Sequence, residues 1–241
     1  MTIPRFFFPA SLPVADTVEL PETLAHHAIK VLRLREDAAI VLFDGSGVEA
    51  HARLRGHGKK WHAEMLEYRD ISRESPLQLI LVQALASGEK MDWIIQKAVE
   101  LGVAAVIPIV TERCVLKLSG ERADKRLAHW RQIVISACEQ SGRNAIPAVL
   151  PVMSLNEYLK RYIDAEKLIM SPYHGARLAD LATPSEALHI MIGPEGGWAD
   201  DELEACCDAE AACISLGPRI LRTETAGLVV LAALQSLWGD Y

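Results

Sequence analysis

After residue 76, short apolar runs recur, and each gives way to a stretch with helical periodicity. "LQLILVQAL" is followed by "KMDWIIQKAVELG", "VAAVIPIV" by "RADKRLAHWRQIVISACEQSG", and "ALHIMIG" by "ADDELEACCDAEA"; "KLIMS", "CISLG" and a last helix over 223–238 complete the series. Strands of four to eight apolar residues that alternate with helices imply a mostly parallel sheet covered on both faces, an α/β architecture. Ligands of such sheets bind at the carboxyl ends of the strands, so the loops that leave those ends carry the search for function.

The segment before "SRESP" (72–76) has a different character. "AAIVLFDGSGVEAHARL" alternates as strands do, and Asp44-Gly45-Ser46-Gly47 supplies the positive-φ residues of a tight hairpin. One helix, "ETLAHHAIKVLRL", interrupts the strands. This predicts a small β-rich module over residues 1–72 and an α/β domain over 77–241. The formal charge of −7 is unevenly shared, with −1 over residues 1–76 and −6 beyond. "RLRGHGKK" (53–60) places Arg53, Arg55, Lys59 and Lys60 together without an acid. Such a patch suits phosphates, or else a solvated hairpin tip.

The longest apolar run, "AGLVVLAAL" (226–234), is about half of the roughly 20 residues that span a bilayer. The N-terminal "MTIPRFFFPASLPV" has no clean apolar segment with a cleavage site, so a cytoplasmic location is expected. Five cysteines form neither an even disulfide framework nor a metal-binding spacing and are expected to pack as small apolar residues.

Two loops stand out. "HIMIGPEGGW" (189–198) breaks a buried strand with Gly-Pro-Glu-Gly-Gly, and "ISLGPRILRTETAG" (214–227) turns through Gly217-Pro218 and brings Arg219 and Arg222 together, with Thr223 or Thr225 placed to cap the last helix. Neither loop carries the Lys-Ser/Thr of a phosphate loop or the G-x-G-x-x-G of a dinucleotide fold. The pair predicts one pocket, polar and apolar on one side and cationic on the other, for a neutral or zwitterionic cofactor beside an anionic substrate.

"IGPEGGW" followed by "LGPRILRTETA", together with "RFFFPA", "HHAIKVLRL", "LFDGSG", "GEKMDWIIQKAVELGV", "TERCV" and "ACEQSGRN" in this order, resembles the SPOUT methyltransferases and among them the ribosomal RNA small subunit methyltransferase E family. The resemblance covers nearly the whole chain. It implies a PUA-like β-barrel for RNA over 1–72 and a SPOUT domain over 77–241, tied in a deep trefoil knot and acting as a homodimer. It also implies S-adenosylmethionine as cofactor, no metal, and methylation of N3 of uridine 1498 in the 16S rRNA of the small ribosomal subunit. The cofactor site it implies comprises Leu168, Met170, Ile192, Gly193, Pro194, Glu195, Gly196, Gly197, Leu216, Gly217, Ile220 and Leu221, with the segment as far as Pro172.

Methylation at N3 requires loss of a proton that is held well above neutral pH, and negative charge spreads to O2 and O4. Arg219 and Arg222 are the candidates to stabilise that charge; Glu195 or Glu224 is the candidate base. Arg5, Lys30, Arg33, Arg53, Lys59, Lys60 and Arg143 are the candidate RNA contacts. Phe6 to Phe8 read as strand core, and of the adjacent His26 and His27 one packs while the other meets solvent. The last helix is apolar nearly all round, which burial against a second subunit would explain. Two other readings remain open. One is a SPOUT ribose 2′-O-methyltransferase, although the early Asn/Arg motif of such enzymes is absent near "GEKMDWIIQ". The other is a non-catalytic RNA-binding assembly factor, which would tolerate loss of the cofactor loops.

Overall fold

The structure, a computed structural model, describes residues 3–57, 60–171 and 175–241, so Lys59 and Pro172 lie outside the described residues. It divides into two compact units, Met1–Glu74 with Ile135–Ile146, and Ser75–Val134 with Pro147–Tyr241.

The first unit is a five-stranded sheet. Its strands are β1 (Arg5–Phe7), β2 (Thr17–Glu19), β3 (Ala39–Phe43), β4 (Val48–His57) and β5 (Lys60–Asp70), in the order β1-β3-β4-β5-β2. The β1–β3 pairing is parallel and the others are antiparallel. Alternation along β4 buries Ala50, Ala52 and Leu54, and a bulge at His51/Ala52 adjusts the register with β5. Phe6 and Phe8 join Ile40, Leu42 and Leu54 in the core as expected, whereas Phe7 is only partly buried and tilts against Phe43 outside that cluster.

The helix expected over 22–34 is two pieces. α1 (Glu22–His26) runs into a π-helical turn, His27–Val31, in which the Leu32 amide donates to the His27 carbonyl at 3.0 Å. Leu24 and Ala28, four residues apart, both reach the core, the turn leaves Val31 and Leu32 exposed, and Arg33 follows with φ at +55°. His27 packs edge-on against Phe6 while His26 is exposed.

The second unit follows the predicted alternation: β6 (Leu79–Ala84), α2 (Lys90–Glu100), β7 (Ala105–Val110), α3 (Gly120–Ser141), β8 (Ala148–Val149), β9 (Met153–Ser154), α4 (Leu155–Arg161), β10 (Glu166–Met170), β11 (Ala176–Arg177), β12 (Leu188–Ile192), α5 (Asp200–Asp208), β13 (Ala212–Ser215) and α6 (Thr223–Trp238). The end of α3, from Ile135, belongs to the first unit. The sheet runs β11-β13-β10-β12-β6-β7-β8, with β9 also on β7, and every pairing is parallel. All five residues of β12 are buried, as expected of a central parallel strand.

From β6 the chain moves to β7 on one side. It then returns through β10 on the other, and β12 slots between β10 and β6. That reversal brings the carboxyl ends of β10, β12 and β13 together, which is where open α/β sheets hold ligands. α6 buries Gly227, Val230, Leu231 and Leu234, and leaves Val229 and Leu237 in solvent. Of the five cysteines, Cys114, Cys138 and Cys206 are buried, but Cys207 is exposed, since α5 covers the sheet with only one face. No helix among the described residues is long and apolar enough to cross a membrane.

Candidate functional site

A cavity of about 610 Å³ opens at those strand ends, between the loop after β12 and the loop after β13. Its floor is Met170, Ile192 and Gly193, its walls are Pro194–Trp198 with Leu216, Gly217 and Arg219–Leu221, and Lys90, Arg113 and Glu224 reach it from other elements. Of the described cofactor residues expected from the sequence, all line it except Leu168 and its neighbour Ile169. Leu168 is buried two residues back along β10, where a rise of roughly 3.3 Å per residue removes it from the strand end; it borders a separate cavity at the opposite end of the sheet.

The glycines of the first loop are required by close packing. A Cβ on Gly196 would lie 2.9 Å from the Cβ of Arg113, and one on Gly193 would lie 3.1 Å from the Trp198 ring. Gly197 has φ at +71° and closes a turn by donating its amide to the Pro194 carbonyl at 2.9 Å. Trp198 is pinned by its indole N–H on the Met170 carbonyl, and the Arg113 guanidinium donates to the Trp198 carbonyl at 2.9 Å. The loop is a preformed cradle of backbone and ring.

Glu195 is held inside this cradle. Its Oε1 accepts from the Ser87 amide at 3.0 Å, the Ser87 hydroxyl at 2.7 Å and Lys90 Nζ at 3.2 Å. Burial alone would raise its pKa, but the bonds from Ser87 and Lys90 outweigh burial and bring it down to about 2. With three donors already on one oxygen, Glu195 ties the loop to the start of α2.

The second loop leads into α6. Thr223 does not cap that helix: its hydroxyl donates to the Gly193 carbonyl at 2.6 Å and accepts from Gln83 Nε2 at 3.0 Å. The cap residue is Arg222, in extended conformation and without a side-chain cap bond. Arg219 and Arg222 both line the cavity, both are exposed, and neither guanidinium has an ion-pair or hydrogen-bond partner among the described residues. Lys90 completes the polar wall, with Nζ 3.6 Å from Oε2 of Glu224. The sequence reading missed Lys90, Arg113 and Ser87; the position of Lys90 at the start of a helix that follows a strand end was the available signal.

In the first unit the expected RNA contacts separate. Arg5 is internal, donating to Glu49 at 2.7 Å and to Asn144, and stacking over Phe43. Glu49 is buried, which would raise its pKa, yet hydrogen bonds from Arg73, Arg5 and Asn144 hold it at about 2. Arg143 is buried against Glu74. Arg5 and Arg143 thus commit their guanidinium groups to intramolecular pairs, Arg5 with buried Glu49, which Arg73 also pairs, and Arg143 with partly exposed Glu74, which points to a framework role rather than the RNA contact expected from the sequence. Arg53 meets Asp37 at 3.2 Å and Lys60 meets Glu19 at 2.8 Å, so the patch that is acid-free in sequence is balanced by acids in space. Lys30 and Arg33 are exposed and unpaired among the described residues, as is Arg35, beside exposed Val31 and Leu32. No group of three or more possible metal ligands is present among the described residues.

The RNA methyltransferase domain family matches residues 73–235, and the RNA methyltransferase PUA domain family matches residues 20–64. Ribosomal RNA small subunit methyltransferase E of Bacillus subtilis is 34% identical over 230 residues, 91% of this chain and 90% of that protein. Among solved structures, a ribosomal RNA small subunit methyltransferase E from Neisseria gonorrhoeae bound to S-adenosyl methionine superposes with a TM-score of 0.93 at 46% identity over 100% of both chains. A Legionella pneumophila methyltransferase in complex with the same cofactor gives 0.95 at 34% identity, also over 100% of both.

Proposed function

The chain belongs to the ribosomal RNA small subunit methyltransferase E family, and from that membership we propose that it transfers a methyl group from S-adenosylmethionine to N3 of a uridine, position 1498, in the 16S rRNA of the small ribosomal subunit. The observation that carries this reading is the cavity: a glycine-built cradle with two guanidinium groups, Arg219 and Arg222, at one side that are unpaired among the described residues. The cradle fits the cofactor. Backbone groups and apolar side chains suit an adenosine moiety, the close approach at Gly193 and Gly196 leaves no room for a side chain, and about 610 Å³ is ample for a molecule of that size. Met170, Ile192–Gly197, Leu216, Gly217, Ile220 and Leu221 would hold it. When bound, it supplies an electrophilic methyl group on a sulfonium.

The residues of this chain contribute position and charge. The Thr223 bond to Gly193 fixes the first turn of α6 against the cofactor cradle, so Arg222, one residue earlier, is delivered to its rim. Guanidinium donors aimed at uracil O2 and O4 stabilise the charge that develops as N3 loses its proton, each by about a few kcal/mol once bound substrate and cofactor cover them. Lys30 and Arg33 in the first unit, with the neighbouring Arg35, contact RNA phosphates. A homodimer forms through the apolar residues that α6 leaves exposed, Val229 and Leu237. The enzyme works in the cytoplasm, where its ribosomal substrate is.

Deletion of the gene is expected to remove 3-methyluridine from small-subunit rRNA, and expression of this chain to restore it. Survival of the modification in the deletion strain contradicts the reading.

A further inference from the structure

We propose that Glu224 takes the N3 proton of the target uridine and that Lys90 is the positioning residue that sets its carboxylate. The proposal rests on the uridine-N3 reading above and adds the proton acceptor.

Two carboxylates flank the ammonium of Lys90, and their environments differ. Glu195 accepts three hydrogen bonds on one oxygen and is fastened to Ser87. Among the described residues Glu224 accepts none: its Oε2 is buried without a hydrogen-bond partner, and Lys90 Nζ, at 3.6 Å, is beyond hydrogen-bond range. The side chain is only 17% exposed, and it lines the cavity. A nearly buried carboxylate with no donor is costly unless a ligand supplies one. Uracil N3–H is a donor of the right kind, and the reaction has to remove its proton.

The two roles divide by environment. Glu195 holds the cradle to α2, while Glu224, two residues from Arg222, faces the same space as the guanidinium that would steady the uracil oxygens. Lys90 balances the buried charge of Glu224 without occupying its lone pairs. The other charged groups around the cavity are Arg113, Asp200, Arg219 and Arg222. In the step, the N3–H bond breaks and its proton passes to the Glu224 carboxylate. The electron pair left on N3 forms the bond to the methyl carbon of the sulfonium donor as the sulfur–methyl bond breaks, its electrons returning to sulfur. Glu224 later releases the proton to solvent.

The test compares the full-length parent with Glu224→Gln and Glu224→Asp, using small ribosomal subunits that lack the modification. Cofactor affinity is measured by calorimetry, subunit affinity by filter binding, and single-turnover transfer as a function of pH. For Glu224→Gln, both affinities and the melting temperature are expected to stay near parental values while transfer falls by about 100-fold or more. The residual rate should climb steadily with pH as the uridine ionises unaided, and Glu224→Asp should recover part of the loss. Loss of cofactor affinity in Glu224→Gln would mean that the carboxylate holds the cofactor's ammonium, and overturns the proposal. A parental rate and pH profile in that variant overturns it equally. A parent that forms no 3-methyluridine overturns the uridine-N3 reading and the proposal with it, whereas a parent that forms it beside a fully active variant overturns the proposal alone.

Discussion

The Thr223 hydroxyl donates to the Gly193 carbonyl across 2.6 Å, which ties the first turn of α6 to the glycine loop that leaves β12. The residues before and after Thr223 point their chemistry at the same cavity. The bond couples cofactor cradle and charged rim, and it makes the consequences of single substitutions specific.

Arg222→Ala removes a guanidinium that supports no other side chain among the described residues. Folding and cofactor affinity should remain within a few fold of parental values, while methyl transfer should fall by about 10²-fold or more, the usual loss when one preorganised donor is removed. Calorimetry with parallel single-turnover kinetics separates the two. Lost cofactor affinity would move Arg222 into the cradle.

Gly196→Ala places a Cβ 2.9 Å from Arg113 Cβ and 3.3 Å from its carbonyl oxygen. Overpacking of this kind costs about 1–3 kcal/mol, and here it displaces the loop on which the cofactor rests. Cofactor affinity should weaken by about tenfold or more with the fold intact by circular dichroism; unchanged affinity would show that the loop is not the cradle.

Arg143→Ala breaks a partly buried pair with Glu74, and the loss should appear as about 1–3 kcal/mol of unfolding free energy rather than as lost RNA affinity. Lys30→Glu with Arg35→Glu should do the reverse, leaving stability nearly unchanged while weakening RNA binding and flattening its salt dependence. Urea melts and filter binding across a salt series decide between the two patterns.

His189 is buried beside Tyr158, whose hydroxyl lies 2.9 Å from its Nδ1. Burial, helped by the nearby Lys167 charge, brings its pKa down from 6.5 to about 4. The folded state therefore binds this proton more weakly than the unfolded chain. Its contribution to stability is complete above pH 6.5 and declines as pH falls from 6.5 towards 4, by up to about 3 kcal/mol. Urea unfolding at pH 7, 5.5 and 4 should show that decline, and His189→Leu, although less stable at pH 7, should lose this part of it. A parallel decline in the variant would assign the effect to other groups.

What the sequence made legible was local. Gly193 to Gly197 and Gly217 announced their loops because a turn is written in consecutive residues, and the alternation after Pro76 announced a parallel sheet. The partners of charged residues were not legible. Arg5 meets Glu49, Arg53 meets Asp37, Lys60 meets Glu19 and Arg143 meets Glu74 only once distant strands and loops are brought together. The same holds for Lys90, which reaches Glu195 and Glu224 from more than a hundred residues away. The break of the first helix at His27–Val31 was hidden because Leu24, Ala28, Val31 and Leu32 are spaced as on one face of a continuous α-helix, whereas the π-turn leaves Val31 and Leu32 exposed.

The central claim is the identity of the product, and it is tested by incubating the purified protein with methyl-labelled S-adenosylmethionine and small ribosomal subunits that lack the modification, followed by nucleoside digestion and mass spectrometry. Label in 3-methyluridine is the predicted result. Label in a ribose-methylated nucleoside, or in none, would contradict the account.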